Sequence, residues 1–513
     1  MLWAKIKPPN YKLLFHVAVM GAVLLVSGAL LGFKIIPDLI EDKIWEKKVL
    51  RMNTEQWDVF LKMPFPVTFN VYLFDVQNPD EVMSGAKPVV KEKGPYTYKL
   101  NRWKSNITWD QKSDEISYFE YERYQFDEDA TKPLFETDTV TLLNIPYNSI
   151  LLTTEHLMPS AMSMLDPALP SIFGELNDLF VRVKVKDFLW AGLRFCRDGD
   201  SENFAAKMVC KQIKNKLKST KQMRLEGEVI VFASLYYRND SHHGYFTVKS
   251  GQHHETKTGK LTKVNNQTQM TTWLGEASAC NQIQGLTSVF PNDVQKDFNF
   301  DVFSEDICRT ISMTFKSEEV VDDVAAYKFA AMGTTFSYSK DGGGDCFCIN
   351  RTMNLDGTYG CLFDGVGDLT TCTGGPVLVS FPHLLYGDER YLRGVEGMRP
   401  EEGLHETFVL LEPITGAPLK VMKRVQFNMF IRSIDGITAL ENVTHSLMPV
   451  FWIEESLTLP QSYLDAIKYS AIKSVFILKI VRWIVVAVGM SLVFISLFMF
   501  FYFKSFPSVK LKI

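Results

Sequence analysis

No catalytic signature runs through this chain. It contains no H-E-x-x-H, no G-x-S-x-G and no G-x-x-x-x-G-K-[ST], which sets aside zincin chemistry, nucleophile-elbow hydrolysis and P-loop phosphate binding. No internal repeat and no low-complexity tract interrupts it. An excess of positive charge is missing too. With the six tail lysines set aside, residues 34–483 hold 49 basic against 59 acidic side chains, a formal charge of −10. Such a surface does not recruit nucleic acid or polyanions by long-range attraction. The expectation is a protein that is no enzyme, with neither cofactor nor metal. The pairs His242-His243 and His253-His254 flank HGYFTVKSG (243–251), which reads as a hairpin, so they read as exposed loop residues and not as ligands.

What the chain does have is two long apolar runs. Residues 13–33 and 484–503 are each about the ~20 residues a helix needs to cross the hydrocarbon core, and the second holds no charge. The first exceeds the ~7–15 residues of a signal-peptide core and no A-x-A site follows, so it is expected to stay. Lys5, Lys7 and Lys12 precede the first run, and Lys504, Lys510 and Lys512 follow the second. Neither tail has an acidic side chain, which suits cytosolic tails at 1–12 and 504–513. Lysines beside the inner ends keep charge from deciding orientation alone. Gly28 and Gly32 form a GxxxG, and Ala487 and Ser491 a small-xxx-small pair, either of which could pack helices closely.

All eight cysteines lie between the runs, at 196, 210, 280, 308, 346, 348, 361 and 372. In a strand, Cys346 and Cys348 point to one face at about the limit for bonding each other, so two separate partners suit them better. Zinc spacing and a C-x-x-C redox motif are both absent, which leaves disulfides in an oxidising compartment. Asn106, Asn239, Asn266, Asn350 and Asn442 each open a glycosylation triplet. Residues 34–483 therefore read as an extracellular, disulfide-bonded, glycosylated ectodomain.

Within it, residues 38–51 read as a short helix. Alternating runs at 64–82, 115–126, 227–237, 243–251, 406–413 and 423–433 read as strands of an antiparallel sheet or barrel. The stretch 155–218 carries Met, Leu and Phe at three-to-four spacing, broken by prolines, and reads as a helical cap. A plain reading makes its apolar residues a packing face. A sharper one makes Met158, Met162, Met164, Leu165, Phe173, Leu176, Leu179 and Phe180 the entrance for a lipid-like ligand.

NPDEVMSGAKPVVKEKGPYTY (78–98), the cysteine set, DLTTCTGGPVLVSFPHLL (368–385), LLEPITGAPLKVMKRVQFN (410–428) and LMPVFWIEESLTLP (447–460) follow in order. Together they resemble the class B scavenger receptor family, which includes the fatty-acid translocase, over nearly the whole chain. FVRVKVKDFLWAGLRFC (180–196), FAAKMVC (204–210) and SYLDAIKYSAIKSVFILKIVRW (462–483) are most similar to the insect sensory neuron membrane proteins. The resemblance implies an α+β membrane protein: two transmembrane helices flank an ectodomain with an antiparallel β-barrel-like core, a helical cap and a hydrophobic tunnel towards the bilayer. It implies the pairs Cys280–Cys346, Cys308–Cys372 and Cys348–Cys361. Cys196 and Cys210 form a fourth bridge or remain free thiols.

The resemblance also implies a plasma-membrane receptor that captures a pheromone-like lipophile and passes it to the membrane or to a neighbouring odorant receptor. Scavenging or lipid uptake, and adhesion, are the alternatives. Relatives that take anionic lipids tend to offer lysines at the entrance. FGELNDLF (173–180) offers Glu175 and Asp178 instead, so neutral long-chain lipids are the expected cargo. CNQIQGLTS (280–288) departs from the family pattern, which leaves that loop without an assigned role. Neither tail carries a cysteine for palmitoylation.

Overall fold

The computed structural model describes residues 3–5, 10–197, 203–217, 220–253, 258–275, 278–287, 289–339, 344–349, 352–505 and 510–512. Two apolar helices, Tyr11–Lys48 and Gln461–Ser505, are long enough to cross a membrane. They pack on each other through glycines. A Cβ on Gly21 would stand 2.8 Å from Leu492 Cβ and 3.0 Å from Gly489 O, and one on Gly28 would stand 2.7 Å from Val485 Cγ1. Gly32 abuts Arg482, whose Nη1 donates to its carbonyl at 3.2 Å. On the second helix the contact falls on Gly489, where a Cβ would lie 2.8 Å from Leu25 N. Ala487 and Ser491, the pair read from spacing, are exposed on the outer side. Gly28 and Gly32 thus do pack the two helices together, whereas Ala487 and Ser491 do not. The first helix runs on past the apolar segment and is tied to the ectodomain by Trp45 Nε1 and Lys48 Nζ, which donate to Gly251 O and Phe290 O.

The core of the ectodomain is a thirteen-stranded sheet, antiparallel throughout. Its main path takes eleven strands, labelled here in chain order. They are β1 (Val67–Val76), β2 (Val90–Asp110), β3 (Glu115–Phe126), β4 (Ser241–Lys249), β5 (Leu261–Val264), β6 (Phe300–Ser304), β7 (Arg309–Val321), β8 (Val324–Ala331), β9 (Phe408–Leu411), β10 (Pro418–Ile431) and β11 (Ser446–Thr458). Their spatial order is β5-β4-β3-β2-β1-β11-β10-β9-β8-β7-β6. The two edges, β5 and β6, come close to meeting. Between them runs the segment 282–287: Leu261 N donates to Gly285 O at 2.9 Å, and Leu286 N to Asp301 O at 2.8 Å. Gly285 has φ +129° and a Cβ there would stand 2.5 Å from Asp301 O, so only glycine suits it. The loop without an assigned role is the seam that covers both open edges, which would otherwise expose unpaired backbone.

The helical cap sits over one end. Asn144 and Asn203 open its two longest helices, Ile145–Leu157 and Phe204–Lys216, with side-chain oxygens that accept from Tyr147 N and Ala206 N. Between them Pro159, Pro167 and Pro170 start short turns of helix, which fits the broken periodicity of the sequence. Four disulfides are present: Cys196–Cys210, Cys280–Cys346, Cys308–Cys372 and Cys348–Cys361. The first joins the helix Phe204–Lys216 to the strand end at Phe195. The other three knit the seam, the start of β7 and the segment 346–372.

Candidate functional site: a capped cavity above a buried ionic belt

A cavity of about 650 Å³ lies between the cap and the barrel interior, inside the ~300–1,000 Å³ usual for small-molecule sites. Helices Ile145–Leu157 and Phe204–Lys216 form two of its walls. At the rim, Leu157, Met158, Met164, Phe204 and Met208 all line the cavity and all remain exposed, Phe204 by 71%. Exposed apolar side chains gathered at one opening are typical of interaction surfaces. Deeper down the lining includes Ile150, Leu165, Phe232, Leu235, Phe427, Met429 and Phe451.

Of the eight residues expected at the entrance, Met158, Met164 and Leu165 line this cavity. Met162, Phe173, Leu179 and Phe180 are buried in the cap's own core and are not among the lining residues, and neither is half-buried Leu176. Phe173 packs on Tyr147 and Phe195, and Phe180 pairs with Leu143 in a two-stranded sheet. Glu175 and Asp178 also stand outside the lining, because Asn144 Nδ2 holds their loop by the carbonyls of Leu176 and Asp178 at 2.7 and 3.0 Å. The basic side chains Lys216 and Lys221 line it instead. The preference for neutral cargo therefore gains nothing from Glu175 and Asp178.

Beneath the cavity the inner face of the barrel changes character. Along β3 the inward row is Ile116, Tyr118, Glu120, Glu122 and Tyr124; the opposing residues on β2 pair Leu100 with Tyr124, Arg102 with Glu122 and Lys104 with Glu120. Apolar, charged and apolar layers thus follow one another down the barrel. Arg238 completes the charged layer from the turn before β4. Its Nη2 lies 3.3 Å from Glu122 Oε2 and 3.2 Å from Glu455 Oε1, and its Nη1 lies 3.3 Å from Asp306 Oδ1. Arg102 also reaches Glu122, and reaches Glu455 at 3.1 Å; Lys423 reaches Asp306 at 2.6 Å. His243 Nε2 sits 2.7 Å from Glu122 Oε2. Three cations, Arg102, Arg238 and Lys423, thus face three carboxylates, Glu122, Asp306 and Glu455. A buried charge persists only when paired in this way.

The belt separates two apolar clusters. On the far side lie Leu50, Trp57, Phe60, Ile116, Tyr118, Val248, Leu261 and Val289, next to the end of the first terminal helix. The cavity lining draws on none of the residues 34–61 and none beyond 451. It reaches the far cluster beside the seam, through Val264 and Ile283 and through Met270 and Phe303, which pack against that cluster. The cavity thus lies on the cap side of the belt and meets the far cluster beside it.

Among the described residues no cluster of His, Cys, Asp or Glu could hold a metal ion. Contrary to the expectation of loop residues, His242 and His243 lie in β4: His242 is tilted against Phe119 and edge-on to Tyr121, and His243 faces Glu122, while His254 lies outside the described residues. Asn106, Asn266 and Asn442 are exposed. Asn239 is half-buried, with its Oδ1 accepting from Tyr124 N at 2.9 Å, and Asn350 lies outside the described residues.

A family model described as the CD36 family matches residues 19–500. The chain belongs to the CD36 family. It is 30% identical to sensory neuron membrane protein 2 of Anopheles gambiae, covering 92% of this chain and 90% of that one. With sensory neuron membrane protein 2 of Heliothis virescens it shares 31% over 93% and 91%, and with sensory neuron membrane protein 1 of Pediculus humanus subsp. corporis 27% over 93% and 89%. The membership accords with two apolar terminal helices around a β-rich, disulfide-bonded ectodomain, and makes this a membrane protein of a lipid-related receptor family.

Sequence reasoning included the helix Phe204–Lys216 in the cap but did not assign it to the mouth. Phe204 and Met208 repeat at four-residue spacing against Lys207 and Lys211, an amphipathic signal that was available. It missed the belt as well, since its six members come from six separate segments.

Proposed function

We propose that this protein is a plasma-membrane receptor that takes lipophilic small molecules from outside the cell into the cavity beneath its helical cap. The apolar rim opening into 650 Å³ of apolar-walled space is the observation that carries this reading. Each CH₂ removed from water contributes about 0.8 kcal/mol, so a long alkyl chain is held without any charged anchor. Both termini are cytosolic in this reading, the ectodomain is extracellular, and the exposed Asn106, Asn266 and Asn442 carry glycans. The relatives' name, sensory neuron membrane protein, supports a sensory setting in which the cargo passes on to the membrane or to a partner receptor. No covalent chemistry enters at any step.

The test is binding of a radiolabelled C16 lipophile to the full chain in lipid nanodiscs, against empty nanodiscs. Saturable binding that falls at least tenfold on Phe204→Asp supports the proposal; its absence refutes it. A second reading, uptake of anionic lipids, draws support from Lys207 and Lys211, exposed on the mouth helix, and from Lys216 and Lys221 in the lining. It expects the fatty-acid anion to bind more tightly than its uncharged ester.

A further inference from the structure

Beyond the membrane-spanning helices the two tails pair with each other. Trp3–Lys5 and Lys510–Lys512 form a two-stranded antiparallel ribbon in which Trp3 stands opposite Lys512, Ala4 opposite Leu511 and Lys5 opposite Lys510. Successive strand residues alternate between faces, so the register places Trp3, Lys5, Lys510 and Lys512 on one face and Ala4 and Leu511 on the other. At this end of the helix pair the Tyr11 ring meets Phe500 edge-on at 5.8 Å, and Lys504 Nζ lies 5.8 Å from the centre of the Phe500 ring. Aromatic and basic side chains at the end of an apolar helix mark the membrane–water boundary. The charge of the tails is unbalanced. Residues 1–12 and 504–513 hold six lysines and no acidic side chain, and the nearest acidic residues in sequence, Asp38 and Asp465, stand beyond the apolar runs. Like charges opposite one another across a ladder repel, so Lys5 opposite Lys510 calls for an anion that these segments do not supply.

We propose that the paired tails are a binding site for anionic phospholipid, with the ribbon laid flat on the cytosolic leaflet and its tryptophan–lysine face against the headgroups. This rests on the cytosolic placement of both tails in the reading above and gives them a ligand. Charge complementarity selects the occupant. The cytosolic leaflet carries the negative surface potential of the bilayer, and the two helices deliver the ribbon to its surface, so lipid headgroups are the anions nearest the six lysines. Each lysine close to such a surface multiplies attachment about fivefold. Tryptophan settles at the same depth, because its ring is apolar while its N–H finds a partner among headgroups and water. Pairing adds to what six lysines on separate tails would do. Two strands in register bring lysines from both segments onto one face, and because that ordering precedes the lipid, less entropy is lost on binding.

Neither tail contains a cysteine, so Leu511→Cys, on the far face of the ribbon, takes one fluorophore. The labelled full chain is placed in nanodiscs that carry a headgroup-quencher lipid, in phosphatidylcholine alone or with about 30% phosphatidylserine. Phosphatidylserine is expected to raise quenching at least about twofold, and about 1 M salt, which shortens the screening length to about 3 Å, should return it to the phosphatidylcholine level. Lys5→Gln, Lys510→Gln and Lys512→Gln together should abolish the rise, whereas arginine at the same three positions should keep it. A rise that survives the three glutamines overturns the proposal. So does quenching indifferent to phosphatidylserine, which would leave an acidic protein as the counter-charge. Both leaflets of a nanodisc have one composition, so this result does not depend on orientation. Orientation is read separately, with a membrane-impermeant maleimide on intact cells expressing Leu511→Cys. Labelling there refutes the cytosolic placement, and the inner-leaflet assignment with it, while capture beneath the cap is untouched.

Discussion

Replacing Arg238 with methionine tests whether the belt is held by charge balance. The native guanidinium is 4% exposed and serves Glu122, Glu455 and Asp306 at 3.2–3.3 Å. Methionine keeps most of the apolar stem and removes the cation, leaving three buried carboxylates to share Arg102 and Lys423. Breaking a buried pair by removing one partner costs about 3–5 kcal/mol, because the survivor stays buried and uncompensated. The loss should depend on pH in a definite direction. Burial works to raise all three carboxyl pKa values. Arg238 and Lys423 at Asp306, Arg102 and Arg238 at Glu122, and Lys423, Arg102 and Arg238 at Glu455 hold each below the ordinary value.

A carboxyl held low stabilises the fold above its unfolded pKa of about 4, and that stability is lost only as pH falls further. The native belt is therefore intact at pH 5. In the variant, burial prevails at one carboxyl, which takes up a proton as pH falls from 7 to 5. Each pH unit returns at most about 1.4 kcal/mol, so the penalty should shrink by up to about 2.7 kcal/mol over that range. Urea unfolding of the full chain in nanodiscs, followed by tryptophan fluorescence, gives the difference from native protein at each pH, and contributions common to both cancel. A loss under about 1 kcal/mol at pH 7, or an equal loss at pH 5, would refute the charge-balance account.

The native protein itself should lose stability between pH 7 and pH 5. Burial presses His405 and His445 each down to about 4, so the unfolded chain takes up protons that the folded chain refuses below about 6.5, at a cost near 2 kcal/mol per histidine by pH 5. His405→Asn should flatten that slope, and an unchanged slope would count against it. Removing the Cys196–Cys210 bridge with paired serines should cost about 3 kcal/mol for a loop near fifteen residues and raise hydrogen exchange over 203–217; unaltered exchange would mean that the bridge does not hold the mouth helix. Phe204→Asp should spare the unfolding midpoint while Phe180→Asp, buried in the cap core, should cost upwards of about 3 kcal/mol. Equal effects would contradict the division between rim and core. Leucine at Gly489 should part the terminal helices, lowering the yield of a cross-link between Gly28→Cys and Val485→Cys; an undiminished yield would contradict the packing.

The terminal helices, the alternating strands and the capped architecture were legible because each is a local pattern. Period two along 115–126 gives a sheet face, and it does not say that Glu120 and Glu122 point inward. That is decided by Arg102 across the ladder and by Arg238, Asp306 and Glu455 from distant segments. The cavity lining was legible only in part, at Met158, Met164 and Leu165, for a related reason. Methionine, leucine and phenylalanine at helical spacing serve a packed interface and a ligand mouth equally well, and what separates Met164 from Phe173 is which neighbour arrives. For Phe173 that neighbour is Phe195, brought by a later strand; for Met164 it is water. Gly489 has the same history: only the first helix's Gly21 and Leu25 select it over Ala487. The seam is the sharpest instance, since Gly285 looks like an ordinary loop glycine until β5 and β6 stand on either side of it. The capped cavity is therefore written mostly in contacts between segments far apart in the chain.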